Sequence, residues 1–467
     1  MSESIIMDAE APNISSTDLE RALPEEFCGV DFNFCRDPQC SRFAEHPYPF
    51  KIEKTDPLPE GFAVRADVSR NYAELRHKCP ECWATTAVKN NRAIFEEYDR
   101  QRRLRIQDPN APGCKNDACV GRGRALTDHP DQYRSYGKTK AGDPRHQCKL
   151  CRKTFSIGRP ARRHKRSDKN KAIFEMLVND TALSKICILA DISYSALYEK
   201  IDYIYQRVRA FTASREKDLS SVPWEEVGSR FATDSQSLVI NWPTKRKRTP
   251  VVVQHLCTAH AISGYIIAAS IQFDPSMRMS DIEAQMIADG DFEKPIPFRN
   301  QSRAWCQTDF EAHLAALQAD NPEKIVPEFY QLPHEGVLVR ADIMQFAHAM
   351  IVRDAIKNSK ARFMFVMDRE DSIRLAFVSV MADLIKDRDA QIAVVSFSKG
   401  MTNDKRNQVV ADGRALLRAV TGKTAEELDA LSNQDFADLL DSTVAPLLAG
   451  KDLITGVTWP FHNEVRA

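Results

Sequence analysis

The sequence predicts a multidomain α+β protein, and three observations carry that prediction. Eight of the twelve cysteines form a repeat in the first third of the chain, amphipathic segments follow it, and short β-rich runs alternate with helical ones in the second half. At about 150 residues per domain, the 467 residues suggest about three domains. Hydrophobic residues make up 43% of the chain, enough for globular cores, so wholesale disorder is excluded.

The repeated cysteines fall into two sets of four. In each set a Cys-x4-Cys pair precedes a Cys-x2-Cys pair, and the first pairs lie 79 residues apart. The repeat continues past the cysteines, because residues 91–96 (NRAIFE) are echoed by residues 170–175 (NKAIFE) at that same offset of 79. We therefore interpret the region as two copies of one four-cysteine module. The sets are Cys35, Cys40, Cys79 and Cys82, and Cys114, Cys119, Cys148 and Cys151.

Thiolate coordination of a metal explains this spacing. Two short cysteine pairs can place four sulfurs around one zinc ion, at about 2.3 Å each, in a closed structural site. The sequence thus predicts two zinc ribbons with one structural zinc each. Disulfides would need an oxidising compartment, and the acidic N-terminus lacks the core of a signal peptide. Iron–sulfur ligation remains open, since four thiolates suit it too.

Charge is distributed unevenly along a chain whose 65 basic and 65 acidic residues cancel. Residues 145–171 carry eleven basic residues against one acidic residue, whereas residues 1–30 carry seven acidic residues and one basic residue. The basic run could be a solvated linker, but beside a zinc ribbon its excess favours contact with nucleic-acid phosphates. The basic residues expected to contact DNA are Arg159, Arg162, Arg163, Lys165 and Arg166.

Residues 169–215 have the pattern of a helix-turn-helix, with a plain helical hairpin as the alternative. Asp191 falls at the turn and tolerates a left-handed conformation, and Ser193 is expected to cap the second helix. Apolar residues at the spacing of the internal contacts are Leu183, Ile186, Ala190, Ile192, Leu197 and Ile201. The second helix would turn towards DNA the side chains of Ser193, Tyr194, Ser195, Tyr198 and Lys200.

The second half predicts a ribonuclease-H-like α/β core with helical insertions. Its element order is β-β-β-(helices)-β-α-β, with an insertion at about residues 274–336. The five strands are expected at 230–242, 249–259, 264–273, 363–367 and 391–397.

The predicted strand order makes two aspartates candidate catalytic residues. Asp234 lies within the first strand and Asp368 ends the fourth, and these strands are neighbours in the predicted topology. Two carboxylates at one sheet edge can hold two magnesium ions, which activate a hydroxyl nucleophile and stabilise the leaving oxygen in phosphoryl transfer. The alternative is that both residues cap strand ends.

Together these features resemble bacterial insertion-element transposases of the DDE class. The likeness is carried by residues 34–40 (FCRDPQC), 148–155 (CKLCRKTF) and 183–201, and it covers most of the chain from about residue 27. The resemblance implies two catalytic aspartates, best matched by Asp234 and Asp368, and a third acidic residue on a helix after the fifth strand. Glu464 is the preferred match for the third, although the chain ends three residues later.

Two functions of different classes follow. The first is a magnesium-dependent enzyme that recognises element ends in double-stranded DNA, then cleaves and joins the strands, as a homodimer in the bacterial cytoplasm with no membrane contact. The second is a catalytically degenerate DNA-binding regulator with a shortened C-terminus. The expected domains are 1–26 (acidic flexible tail), 27–105 (first four-cysteine module, a zinc ribbon), 106–168 (second four-cysteine module, a zinc ribbon), 169–215 (helix-turn-helix) and 221–467 (core).

Overall fold

The computed structural model divides the chain into two compact units. The sheet unit comprises Met1–Gln101 and Ser220–Ala467, and the helical unit comprises Arg102–Leu219. The first four-cysteine module therefore groups with the second half of the chain. The residues described are 23–45, 65–66, 75–158, 165–241, 250–320, 331–395 and 402–431, apart from isolated positions within these ranges, and short pieces at 435–443 and 457–458.

The first four-cysteine module is a small antiparallel sheet followed by a helix. Its strands run in the order β1-β2-β3. The helix α1 buries Asn91, Ala93, Ile94, Glu97 and Gln101, so its buried face is partly polar. The elements are β1 (Arg65–Ala66), β2 (Leu75–Lys78), β3 (Thr85–Ala87) and α1 (Asn91–Ile106).

The second four-cysteine module repeats this plan with a three-stranded antiparallel sheet in the order β4-β5-β6. Tyr133 is buried against the cysteines, its ring meets Phe155 edge-on, and its hydroxyl accepts from the amide of Cys114. The strands are β4 (Tyr133–Lys138), β5 (Pro144–Cys148) and β6 (Thr154–Ser156).

Three helices complete the helical unit: α2 (Asn170–Val178), α3 (Leu183–Ala190) and α4 (Tyr194–Glu216). Asp191 ends α3 in the left-handed conformation, and the Ser193 hydroxyl caps α4 by accepting from the amide of Ala196, as predicted. Every apolar residue predicted for the internal contacts packs into one cluster around Ile173 and Ile186.

A six-stranded sheet forms the centre of the sheet unit, in the order β14-β13-β12-β7-β8-β9. The hairpins β7-β8 and β8-β9 are antiparallel, whereas β12 runs parallel to both β7 and β13. All five predicted strands are found within a few residues of their expected bounds. The strands are β7 (Arg230–Asn241), β8 (Pro250–His260), β9 (Ile266–Ile271), β12 (Phe363–Asp368), β13 (Ala390–Val395) and β14 (Val457–Thr458).

Helices and a small two-stranded sheet, β10-β11, surround these strands. The helix before β12 is almost wholly buried, and its His348 reaches the β8 and β9 strands. The remaining elements are α5 (Trp224–Val227), β10 (Phe273–Asp274), α6 (Met279–Ala288), α7 (Gln307–Asp320), β11 (Val337–Leu338), α8 (Ala341–Ile356), α9 (Asp371–Val380), α10 (Ala382–Lys386), α11 (Asn403–Thr421) and α12 (Ala425–Asp429).

Candidate functional site

Each predicted cysteine set converges into one group. The four Sγ atoms of each set all lie within 4.8 Å of one another. Individual Sγ–Sγ separations are 3.7 Å for Cys35–Cys82, 3.8 Å for Cys40–Cys79, 3.4 Å for Cys114–Cys151 and 3.9 Å for Cys119–Cys148. Four sulfurs at the usual Zn–S distance in a tetrahedron would be about 3.8 Å apart. Each group could therefore hold a structural zinc ion.

The backbone around the two groups repeats as well. The amide of Arg42 points at the Cys40 sulfur over 3.4 Å, and the amide of Gly121 points at the Cys119 sulfur over 3.3 Å. Trp83 and Arg152, each four residues after the third cysteine of its set, both adopt positive φ, 62° and 60°. Amides aimed at sulfur favour the thiolate, which is the form that binds a metal.

The thiol pKa values fit a metal-binding role. Burial raises the pKa of Cys82 and that of Cys114 to about 12. The backbone amide of Lys153 lowers the pKa of Cys151 to about 6. Four clustered thiolates therefore need a cation to coexist, and metal binding to either group releases protons.

Polar and aromatic contacts join the first four-cysteine module to the rest of the sheet unit. The rings of Phe32 and Phe346 lie 5.0 Å apart, and the Lys89 ammonium is 2.6 Å from an oxygen of Asp342. The fully buried Glu97 pairs with Arg303 over 2.7 Å. The first four-cysteine module therefore packs as an integral part of the sheet unit.

A continuous chain of hydrogen bonds extends from α1 to the strand that carries Asp234. Each of its five links is 2.7–2.8 Å long. Since Ser270 donates to Gln101, its oxygen accepts from Nδ1 of His348, and Nε2 of that ring accepts from Thr258. The links run in order through Glu97, Gln101, Ser270, His348, Thr258 and Thr233.

The second four-cysteine module shares its unit with the three helices, where most residues expected to face DNA are exposed. Ser193, Tyr194, Ser195 and Tyr198 are exposed at the start of α4. Lys165 and Arg166 are exposed before α2, whereas Arg159, Arg162 and Arg163 lie outside the described residues.

The expected exposure of Lys200 is wrong. Its side chain is only 3% exposed, and its ammonium donates to the carbonyls of Lys165 and Arg166 and to the side chain of Asn170. Burial lowers its pKa. Lys200 therefore holds the basic segment onto the helices and does not point to solvent.

The two units have opposite charge. Residues 102–219 contain 26 basic and 13 acidic residues, whereas the remainder contains 39 basic and 52 acidic residues. The helical unit is therefore at +13 and the sheet unit at −13, and the neutral total is their sum. A polyanion would be attracted to the helical unit.

Asp234 and Asp368 occupy adjacent positions on neighbouring strands. The parallel pairing of β7 with β12 runs up to Thr233 and Met367, and the next residue on each strand is one of the two aspartates. Lateral neighbours in a parallel pair point to the same face, so both carboxylates lie on one face of the sheet, and both are exposed. Burial and the Asp234 carboxylate raise the pKa of Cys257 on β8, so this thiol stays neutral.

A further acid, Glu370, lies next to the pair and was missed from the sequence. Its carboxylate accepts a hydrogen bond of 2.8 Å from Ser235, the residue after Asp234. Nothing in the local pattern distinguishes Glu370 from a surface loop residue. Glu464 lies outside the described residues. In the described ranges, the two cysteine sets are the only groups of three or more potential ligands within 4.8 Å of one another.

Comparison with protein-family models, with curated proteins and with solved structures finds no match for this chain. Within the part of the chain that the structure describes, no helix is both long enough and apolar enough to cross a membrane.

Proposed function

We propose that this protein is a transposase-like enzyme that binds double-stranded DNA through its helical unit and cleaves and joins DNA strands at the Asp234–Asp368 edge. The observation that carries the proposal is the adjacency of these two carboxylates on parallel strands of a unit separate from the basic one. It agrees with the resemblance to DDE-class insertion-element transposases, in which a ribonuclease-H-like core carries the acids.

The charge partition supports DNA binding by the helical unit. Its excess of thirteen positive charges would favour any phosphate backbone, while the exposed start of α4 offers hydroxyls and two tyrosines to base edges. The α3–α4 pair then acts as a helix-turn-helix. Two element ends must be brought together for strand transfer, which favours a homodimer on DNA.

The acidic edge supports phosphoryl transfer. Strand order 5-4-1-2-3 for β13, β12, β7, β8 and β9, with the acids on the first and fourth strands of that set, is the arrangement expected of a ribonuclease-H-like core. Magnesium held there would activate a water or a 3′-hydroxyl and stabilise the leaving oxygen. The exposed, adjacent carboxylates of Asp234 and Asp368 would bind the metal directly.

A DNA-binding regulator without catalysis is the second candidate. It is favoured by one observation: among the described residues, no third ligand atom joins the aspartate pair within 4.8 Å. Such a protein would use the helical unit alone.

A nicking and strand-transfer assay with magnesium or manganese separates the two candidates. We expect activity from the wild-type chain and none from Asp234→Ala at equal DNA binding. If both proteins behave identically, the enzyme is rejected and the regulator remains.

A further inference from the structure

We propose that Glu370 is a positioning residue that holds the Asp368 end of β12 beside Asp234 on β7. This inference rests on the proposed function, because it concerns the geometry of the same acidic edge. Glu370 is half-buried at the N-terminal end of α9, directly after the strand that ends in Asp368.

The Glu370 carboxylate connects four separate elements. Oε2 accepts from Ser235 Oγ on β7 over 2.8 Å, and Oε1 accepts from Ser372 Oγ on α9 over 3.1 Å. Oε1 also faces Gln345 Nε2 on α8 at 3.3 Å and Gln254 Nε2 on β8 at 3.4 Å. These four described partners are uncharged, so the carboxylate is held by hydrogen bonds, which depend strongly on direction and distance.

The Glu370 carboxylate is linked to both aspartates by a few backbone and hydrogen bonds. The amide of Glu370 donates to the carbonyl of Asp368 over 2.8 Å. On the other side, Ser235 directly follows Asp234, and its amide donates to Asp234 Oδ1 over 2.8 Å. The Ser235–Glu370 bond therefore fixes the two aspartate backbones where the β7–β12 pairing ends.

The orientation of the buried Gln345 side chain indicates that its environment favours a hydrogen-bond acceptor at position 370. This side chain is 1% exposed, and its amide nitrogen is directed to Glu370 and to Gln254, while its Oε1 has no hydrogen-bond partner among the described residues. A buried carbonyl oxygen without a donor is unfavourable. If the Gln345 side-chain amide were rotated by 180°, its Oε1 would face the Glu370 carboxylate and the two oxygens would repel each other. The negative charge at Glu370 therefore favours the observed orientation of the Gln345 amide.

Two substitutions of Glu370 distinguish a positioning role of its hydrogen bonds from an effect of its negative charge. Glu370→Ala removes the link and should lower kcat for metal-dependent nicking by ~10- to 100-fold, because small displacements of reacting groups are costly. The Kd for DNA should stay unchanged. In Glu370→Gln, the new amide oxygen still accepts from Ser235 and the new nitrogen can donate to a reversed Gln345, so kcat should stay within about threefold of wild type.

Two further variants guard against a trivial loss of folding. Ser235→Ala deletes the donor alone and should lower kcat in the same direction, and combining it with Glu370→Ala should cost no more than Glu370→Ala, because both remove one link. Asp371→Asn is the matched control: this acid is adjacent, its side chain is 83% exposed, and its change should leave kcat unaltered.

Each result decides the proposal. If Glu370→Gln is as impaired as Glu370→Ala, Glu370 acts through its charge, and the positioning role is rejected. Unchanged kcat in Glu370→Ala rejects it as well. If the wild-type chain does not nick DNA, the proposed function fails, and amide hydrogen exchange then tests the link by itself. Faster exchange at 233–236 and 366–370 in Glu370→Ala would support the positioning role, and unchanged exchange would overturn it.

Discussion

The two four-cysteine modules share the arrangement of their sulfurs and differ in what surrounds them. Both place four sulfurs within 4.8 Å, and both are followed by a helix that starts with the same motif. The helix after the first module buries Glu97 and Gln101 in the sheet unit, whereas the helix after the second buries Ile173 in an apolar cluster of the helical unit. The arrangement of the four sulfurs is therefore common to the two modules, whereas the buried face of the following helix is polar in the first and apolar in the second.

The largest expected effect comes from removing one cysteine at an equivalent position in each module. Cys79→Ser and Cys148→Ser should each lower the zinc content from two ions to one. Each should destabilise its own unit by up to about 10 kcal/mol, because binding of a structural zinc is coupled to folding.

Elemental analysis and segment-resolved hydrogen exchange measure both effects. Exchange should rise at residues 75–101 in the first variant and at 133–156 in the second. Iron in place of zinc would establish the iron–sulfur alternative. Loss of protection in the same segments for both variants would contradict the assignment of one module to each unit.

A smaller effect is expected at Glu97, which exists only in the first module because Met176 occupies the equivalent position. Glu97→Ala should lower the free energy of unfolding of the sheet unit by about 3–5 kcal/mol, since it removes a fully buried partner of both Arg100 and Arg303 and leaves Asp274 to pair with the two guanidinium groups. Glu96→Ala is the control: its exposed pair with Arg92 should contribute at most about 0.5 kcal/mol. Equal effects in denaturant titrations would show that the buried network does not stabilise the unit.

The smallest effect concerns DNA, where the two modules should differ in salt dependence. Changing Lys165 and Arg166 together to alanine should reduce the slope of log K against log salt by about 1.8, from two lost phosphate contacts. Changing Arg42 and Arg92 in the first module removes the same charge and should leave the slope unaltered. Filter binding or anisotropy over a salt series gives both slopes, and matching slopes would move the DNA interface elsewhere.

Structural features that depend on the spacing of nearby residues were predictable from the sequence. The cysteine offsets identified both four-cysteine groups, and apolar periodicity identified the cluster around Ile186 and the strands that bring Asp234 beside Asp368. These patterns repeat over a few residues, so one sequence is enough to see them.

Polar contacts between distant segments were not predictable. Glu97 meets Arg303 across 206 residues, and nothing near either residue indicates the other. Lys200 was expected to face DNA because of its position on the second helix of the predicted helix-turn-helix, but three oxygens of the preceding segment accept hydrogen bonds from its ammonium. Glu370 was missed for the same reason, since its partners come from four elements.

The most direct test of the division between modules is a titration of double-stranded DNA with Cys79→Ser and Cys148→Ser side by side. Because the DNA-binding surface is assigned to the helical unit, Cys148→Ser should weaken binding by at least about tenfold. Cys79→Ser should remain within about threefold of the wild-type Kd. Equal losses in the two variants, or a larger loss in Cys79→Ser, would contradict the account.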